Sequence, residues 1–381
     1  MRILHLCLSN FYVDGYSYQE NELVRQNVID GHVVAIIAST ETLNADGDVT
    51  YTAPGRYLGD DQAMVERVAY RTWLPHAVMT KLRMHPGIFR RIQDFAPDVI
   101  LFHSACGWEI FSAAKYVKLN PHVKLYVDSH EDFINSARGF ISKWVLHFGY
   151  YRTILRLNLR YISKLLPVAM SSVEFLQKHY GVPAEKMELY PLGGLIEDDA
   201  DYERRRIAAR ASLRIRNDQI AIVQSGKLDA SKKLVEALRA FVAVPDSQLR
   251  FFIAGLLKPD VETAVRSIMA VDTRIEYLGW KTAEELRSVL SAADVYCQPG
   301  TQSSTMQMSL SCRCAVILDD ITSHKTYFDG NGWLIGKDAG LAEVFVQISD
   351  NADAVHGMKI NAHQVALRML DYRLLAARIY I

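Results

Sequence analysis

Short apolar runs trade places with helical patterns through most of this chain's 381 residues. A run that is apolar on both faces must be covered on both faces. Strands separated by helices pair in parallel, because each crossover lays a helix on the sheet. In the first half the runs predict strands at residues 3–8, 33–38, 98–103, 123–128, 165–169 and 187–192. Helical patterns fall between them at 19–30, 78–95, 108–118, 136–163 and 171–180. Residues 191–217 interrupt the rhythm with Gly193-Gly194, an acidic run at 197–199 and a basic run at 204–206, which marks a domain boundary and a connecting helix. The alternation then resumes. Strands are expected at 220–224, 249–254, 275–278, 295–298 and 315–318, and helices at 232–241, 260–269, 283–292 and 304–312, with a broken helical tail from 352 to 381. The length suits two domains, each large enough for its own core. The expected fold is therefore α/β, with two doubly wound domains whose informative residues follow the strands.

Charge and composition exclude several roles. Lys+Arg and Asp+Glu are both 43, so no overall field argues for nucleic acid. No apolar run reaches the roughly 20 residues that cross a bilayer. The start, MRILHLCLSN, reads as a first strand and lacks the pattern of a secretion signal. The cysteines, Cys7, Cys106, Cys297, Cys312 and Cys314, sit in or near apolar runs, which fits reduced thiols in a cytoplasmic protein. Cys312-x-Cys314 is not a zinc spacing and no HExxH pair occurs, so no metal is expected.

The stretch Gly226-Lys227-Leu228-Asp229-Ala230-Ser231-Lys232-Lys233 follows the apolar run at 220–224 and leads into an amphipathic helix. A glycine, lysines five apart and a helix start suit a phosphate group. Unpaired N–H groups and the positive dipole end meet the anion, and the ammonium groups add charge. Other polar clusters also follow strands. Asp128-Ser129-His130-Glu131-Asp132 ends the run at 123–128, His103-Ser104 ends the run at 98–103 with Glu109 shortly after, and Asp14-Gly15-Tyr16 lies in the first loop.

These features, with RFFIAG, RIEYLGWKTAEELRSVLSAADVYCQPG and CAVIL, resemble the C-terminal half of family 4 retaining glycosyltransferases, over about residues 220–320. The resemblance implies the GT-B fold: two Rossmann-like domains facing across a cleft, with a C-terminal helix crossing back. The N-terminal, acceptor-side domain would comprise 1–196 with about 365–381, and the nucleotide-sugar domain 197–364. By the same resemblance, Lys227 stands where the family has an arginine and Lys232 where it has a lysine, together holding the diphosphate. His130 would touch the donor sugar or diphosphate. Asp128, Glu131, Asp132 and His103 would meet sugar hydroxyls or the acceptor, and Gly15 would let backbone approach the donor. Gly226, Gln302, Ser303, Ser304 and Thr305 would line the diphosphate, and Trp280 would lie by the nucleobase. The implied reaction is metal-independent transfer of a sugar from a nucleotide-diphosphate donor to a saccharide or lipid-linked acceptor, as in bacterial surface polysaccharide or lipopolysaccharide assembly.

The pattern departs at one block. The family carries two glutamates eight apart, whereas the stretch from Pro299 to Val316 has neither, places Met308 at the second, and has Arg313 for a usual glycine. A nucleotide-sugar epimerase of the same fold and a catalytically inactive partner protein therefore stand as alternatives. Finally, residues 138–164 carry Lys143, Arg152, Arg156, Arg160 and Lys164 among Trp144, Phe148, Tyr150 and Tyr151, with no acid. Such a stretch is expected to touch an anionic surface on the inner face of the cell membrane.

Overall fold

The opening apolar run forms a strand, β1 (Arg2–Cys7), and it lies inside a parallel sheet, as its two-sided burial requires. In this computed structural model, residues 1–44, 48–133, 136, 139, 141–336 and 340–380 are described. The chain divides into two units, Met1–Leu192 with Tyr372–Ile381, and Gly193–Asp371. The boundary thus falls just before the glycine pair instead of after residue 196. The chain returns to the first unit at Tyr372, later than the expected 365.

The first unit contains β1, β2 (Val33–Ser39), a small hairpin of β3 (Glu41–Leu43) and β4 (Val49–Tyr51), then β5 (Gly55–Leu58), β6 (Met64–Val68), β7 (Val99–Phe102), β8 (Lys124–Ser129) and β9 (Lys164–Pro167). Its main sheet has seven strands in the order β5-β6-β2-β1-β7-β8-β9, all parallel except β5. Leu4 and Leu6 of β1, Ile100 and Phe102 of β7, and Leu125 and Val127 of β8 build one core face. β5 and β6 escape the apolar signal because of their mixed polarity: β5 is the exposed edge strand and β6 its inner neighbour. Residues 187–192 were expected as a strand; they run beside β9 with one bridge, Met187 to Leu165, and with the Glu188 and Tyr190 N–H groups donating to the Leu165 and Pro167 carbonyls, but do not form a full strand. The helix expected at 78–95 is two helices, His76–Leu82 and Ile88–Phe95. Pro86 and a left-handed Gly87 (φ 67°) separate them. The long helical stretch before β9 resolves into a wide π-type helix, Ile141–Tyr151, and an α-helix, Arg152–Asn158; Arg138 lies outside the described residues.

The second unit is a six-stranded parallel sheet, β12-β11-β10-β13-β14-β15. Its strands are β10 (Ile220–Leu228), β11 (Leu249–Leu257), β12 (Ile275–Gly279), β13 (Val295–Gln298), β14 (Ala315–Asp319) and β15 (Gly332–Ile335). β10 and β11 run on past their apolar segments, pairing Gly226 with Gly255 and Lys227 with Leu256. Gly255 has φ 142°, and a Cβ there would lie 2.0 Å from the Gly226 carbonyl oxygen, so only glycine fits. The connecting helix is Asp199–Ser212, capped by Asp198. Its Arg206 and Arg210 join Lys359 on Asp294, at the foot of β13.

The tail helix Ala352–Met369 packs in the second unit, and the last helix, Tyr372–Ala377, packs in the first. There Tyr372, Leu375, Ala376 and Ile379 share a core with Leu23, Leu101 and Tyr190, and the Tyr190 hydroxyl donates to the Leu375 carbonyl at 2.6 Å. Ile381 lies outside the described residues.

Candidate active site

In the first unit, β7 and β8 are paired neighbours and bring His103 and Asp128 together. His103 Nδ1 lies 2.5 Å from Asp128 Oδ2, and the Ser104 N–H donates to Asp128 Oδ1 at 2.7 Å. Ser104 has φ 79°, a strained backbone for a residue with a side chain. That turn aims its N–H at Asp128 and its hydroxyl at Glu131, which also accepts from Ser129 Oγ at 2.6 Å. Burial alone would raise the Asp128 carboxyl, but His103 and the Ser104 N–H hold it below the usual carboxylate range. Burial likewise opposes a charged His103, yet Asp128 raises its proton affinity above that of an ordinary histidine. His103 and Asp128 were expected to meet sugar hydroxyls. Both are instead sealed from solvent, 0% and 1% exposed, and their partners are other side chains. Glu131 is buried as well.

His130 is the member of this cluster that opens outward, with its side chain 31% exposed. Its Nε2 sits 3.7 Å from Asp128 Oδ1 and 3.9 Å from Glu20 Oε1, beyond hydrogen-bond reach of both, and has no partner among the described residues. Asp132 follows at intermediate exposure. Gly15 is exposed and left-handed at φ 75°, in a loop held by Asp14 to Tyr57 and Arg67. Glu109 is buried. It accepts from the His85 N–H at 2.9 Å and from Ser112 Oγ at 2.6 Å.

In the second unit, the carboxyl ends of β10 and β13 carry the candidate phosphate residues. Gly226 (φ 126°) and Lys227 still lie on β10, and the exposed Lys227 side chain forms no ion pair among the described residues. Lys232 ends a short 3-10 turn, Ala230–Lys232, and its Nζ donates to the carbonyls of Thr301 and Gln302 at 2.9 and 3.1 Å. Burial lowers its ammonium below the ordinary lysine value, against the pull of Asp229. An ammonium has three donors, so one remains for a ligand. Gly300 makes this meeting of loops possible, because a Cβ there would lie 2.3 Å from the Ser231 carbonyl. Ser303 precedes the helix Ser304–Ser311 but does not cap it; its hydroxyl donates to Gln298 Oε1 at 2.9 Å. Ser304 is exposed, Gln302 and Ser303 are partly exposed, and Thr305 is buried. Trp280 follows β12 and is 65% exposed. Among the described residues, no three His, Cys, Asp or Glu side chains gather as a metal would need.

Residues 219–351 match the family model of glycosyl transferases group 1. No curated protein matches the chain. Solved structures do. Anabaena HepE in complex with UDP is similar at 14% identity and TM-score 0.63, covering 100% of this chain and 98% of that one. Sucrose-phosphate synthase from Thermosynechococcus elongatus is similar at 14% and 0.64, covering 99% and 97%. WaaG, a glycosyltransferase involved in lipopolysaccharide biosynthesis, is similar at 15% and 0.60, covering 99% and 98%. The fold is GT-B. The second unit is similar to a group 1 glycosyl transferase domain over its matched residues, and fold and match together support a GT-B glycosyltransferase.

Several residues of these GT-B loops carry no local sequence signal. Arg83 is half-buried in a left-handed turn and donates to the carbonyls of Ser9 and Cys106 and to Ser104 Oγ. Glu20 accepts from Asn10 Nδ2 and faces His130. Gln298 donates to the Thr301 carbonyl, and Gln224 donates to the Lys232 carbonyl at 2.7 Å. Polar amides inside otherwise apolar strands are the one hint that marks the last two.

Proposed function

We propose that this protein is a retaining glycosyltransferase that moves a sugar from a nucleotide-diphosphate donor to a saccharide or lipid-linked acceptor. Bacterial surface polysaccharide or lipopolysaccharide assembly is the setting such acceptors suggest. The observation that carries the reading is the second unit's loop pair. There Lys232 is bonded to the loop before the helix Ser304–Ser311, whose start has no side-chain cap, and Gly226-Lys227 lie near the end of β10, all inside the matched segment.

Breaking the bond from the anomeric carbon to the diphosphate leaves negative charge on the departing oxygen. Fixed cations and orphan N–H groups aimed at that charge lower the barrier. Lys227 is free to swing onto the diphosphate. Lys232 is anchored by two carbonyls and offers its third N–H in a set direction. The helix start adds the N–H groups near Ser304 and Thr305, with the Ser303 and Gln302 side chains beside them. We assign the nucleobase contact to Trp280. On the other unit, His130 is the partly open donor for the sugar, with Asp132 and the Gly15 loop as further contacts. Because lysines and helix N–H groups suffice for the leaving charge, we propose transfer without a metal, and retained turnover in chelator is its test.

A thermal-shift panel of UDP, GDP, ADP, dTDP and CMP tests the donor reading, with uridine ligands first because the similar HepE was solved with UDP and UDP-glucose. A nucleotide at 100 times its dissociation constant stabilises by roughly 2.7 kcal/mol. The shift is expected with a nucleoside diphosphate and lost in Lys227→Ala and in Lys232→Ala. A panel with no shift, or a shift kept in both variants, ends the reading.

The first unit also carries the proposed membrane contact. Trp144, Val145, Phe148 and Leu157 are exposed at 45%, 56%, 39% and 61%, with Arg152 stacked 4.3 Å over the Phe148 ring. No helix among the described residues is long and apolar enough to cross a membrane, so contact would be at the surface. Sedimentation with anionic vesicles is expected, and weaker sedimentation after Arg152, Arg156 and Arg160 are changed to Glu. Equal sedimentation would remove the idea.

A further inference from the structure

A chain of hydrogen bonds runs through the first unit from its surface to the His130 loop. The Tyr380 hydroxyl donates to Asp30 Oδ2, and Asn27 Nδ2 lies 3.0 Å from the Tyr380 oxygen. Asn27 Oδ1 is 2.9 Å from His5 Nε2, His5 Nδ1 is 3.0 Å from His103 Nε2, and His103 Nδ1 reaches Asp128. His5 and Asn27 are buried polar residues among apolar neighbours, and neither belongs to the proposed ligand contacts.

The direction of every link is set from its ends. Asp30 is a carboxylate, so the tyrosine must donate to it. The tyrosine oxygen then accepts, so Asn27 turns its amino group to Tyr380 and its carbonyl to His5. That carbonyl can only accept, so His5 carries its proton on Nε2. Burial and the adjacent His103 push His5 down to about 3, which keeps it neutral, and its Nδ1 is therefore an acceptor. His103 must donate to it through Nε2. At the far end Asp128 is also a carboxylate and accepts from Nδ1. A chain with acceptors at both ends needs one group that donates both ways.

We infer that His103 is a doubly protonated imidazolium at neutral pH, a positioning residue that keeps Asp128 paired and fixes the loop carrying His130. The proton is stored in the His103–Asp128 pair and is not offered to a ligand. His103 cannot act as a base, since both its nitrogens donate. Asp128 spends one oxygen on His103 and the other on the Ser104 N–H, and faces His130 as a fixed charge. Among the described residues, the charged and titratable groups around the pair are His5 and Cys7 on β1, Glu20 on the first helix, His130 and Glu131 in the loop after β8, Tyr190 beside the returning tail, and Arg83 behind Ser104. None of them supplies the donor that an unprotonated His103 Nε2 would need. At alkaline pH the proton leaves, one link becomes acceptor against acceptor, and the support of the His130 loop loosens.

The test is histidine 15N NMR on the full chain with no nucleotide present, so it stands apart from the donor reading. At pH 7 His103 should show two protonated ring nitrogens and His5 a single neutral form protonated at Nε2. Asn27→Leu frees His5 to place its proton on Nδ1 and donate to His103, so His103 should lose its second proton at lower pH than in the wild type. Tyr380→Phe, at the partly exposed end, releases the Asn27 orientation and should move the titration the same way, and it serves if Asn27→Leu does not fold. A His103 with one protonated nitrogen at pH 7 overturns the inference. So does a titration unmoved in every variant that folds.

Discussion

The two sheets close their carboxyl ends in opposite ways. In the first unit most of the ionisable groups are inside: His103, Asp128 and Glu131 are buried, while His130 and Asp132 are partly open. In the second unit the strand ends carry glycines, backbone N–H groups and ammonium side chains, and Lys227 is exposed. A buried polar network is costly unless every member is paired, and once paired it is stiff. An exposed lysine costs little and can follow a moving charge. The first unit therefore holds fixed charge in a set geometry, while the second keeps mobile charge for an incoming anion. That difference predicts that substitutions in the first unit act mainly on folding, and those in the second mainly on ligand binding.

Asp128→Ala should break the comparison's first half most severely. It leaves His103 and Ser104 without their acceptor, and removing one partner of a buried pair costs about 3–5 kcal/mol. Urea unfolding measures it. A loss below about 1 kcal/mol would mean the pair is not a structural fixture. Gly255→Ala should come next. Its Cβ would collide with the Gly226 carbonyl at 2.0 Å, and φ 142° is strained for alanine. Relief must move β10 where Lys227 sits, so about 1–3 kcal/mol of stability and the nucleotide shift should fall together. A kept nucleotide shift would show that the Gly226 backbone does not matter to the ligand.

The pH response sharpens the same contrast. His103 binds its proton more tightly folded than unfolded, so its contribution is complete below the ordinary 6.5 and is lost as pH rises through its raised value. Asp128 is depressed, so its contribution is complete above 3.8 and is lost as pH falls through its lowered value. His5 adds to the acid side: only the unfolded chain takes its proton as pH drops from 6.5 towards about 3. Lys232 has the reverse sign to His103. Its lowered value means the folded state gains as pH rises through it. The loss of stability that sets in as pH rises above 6.5 should therefore belong to His103 and flatten in His103→Gln; at higher pH the buried thiols and phenols of both units, raised by burial, add a loss of their own. An unchanged alkaline limb in that variant would assign the loss elsewhere.

What was legible follows from range. The strands at 220–224 and 249–254 are apolar but for Gln224 and Arg250, and both form where expected; the glycine and lysines after the first are a proposed phosphate loop. Residues 187–192 read as a full strand because the returning tail, with Leu375 some 185 positions on, adds cover over Tyr190 beyond the few backbone bonds to β9. Periodicity reports burial, and burial has more than one cause. His5 and Asn27 were silent for the same reason. Their partners lie 98 and 353 residues away, at His103 and Tyr380. His103 was visible as a histidine after a strand, but only the fold shows that it faces inward.

The smallest effect on folding is expected at Trp280, and it separates the nucleobase contact from the diphosphate contacts. The side chain is 65% exposed, so Trp280→Ala should change stability by less than about 0.5 kcal/mol. If the ring stacks on the base, its removal should weaken nucleotide binding by about 1–3 kcal/mol. Inorganic pyrophosphate has no base, so its binding should be untouched in Trp280→Ala and weakened in Lys227→Ala. Calorimetry on both ligands with both variants gives the pattern directly. If Trp280→Ala weakens pyrophosphate as much as UDP, the residue supports the loop, and the base must be read by some other group.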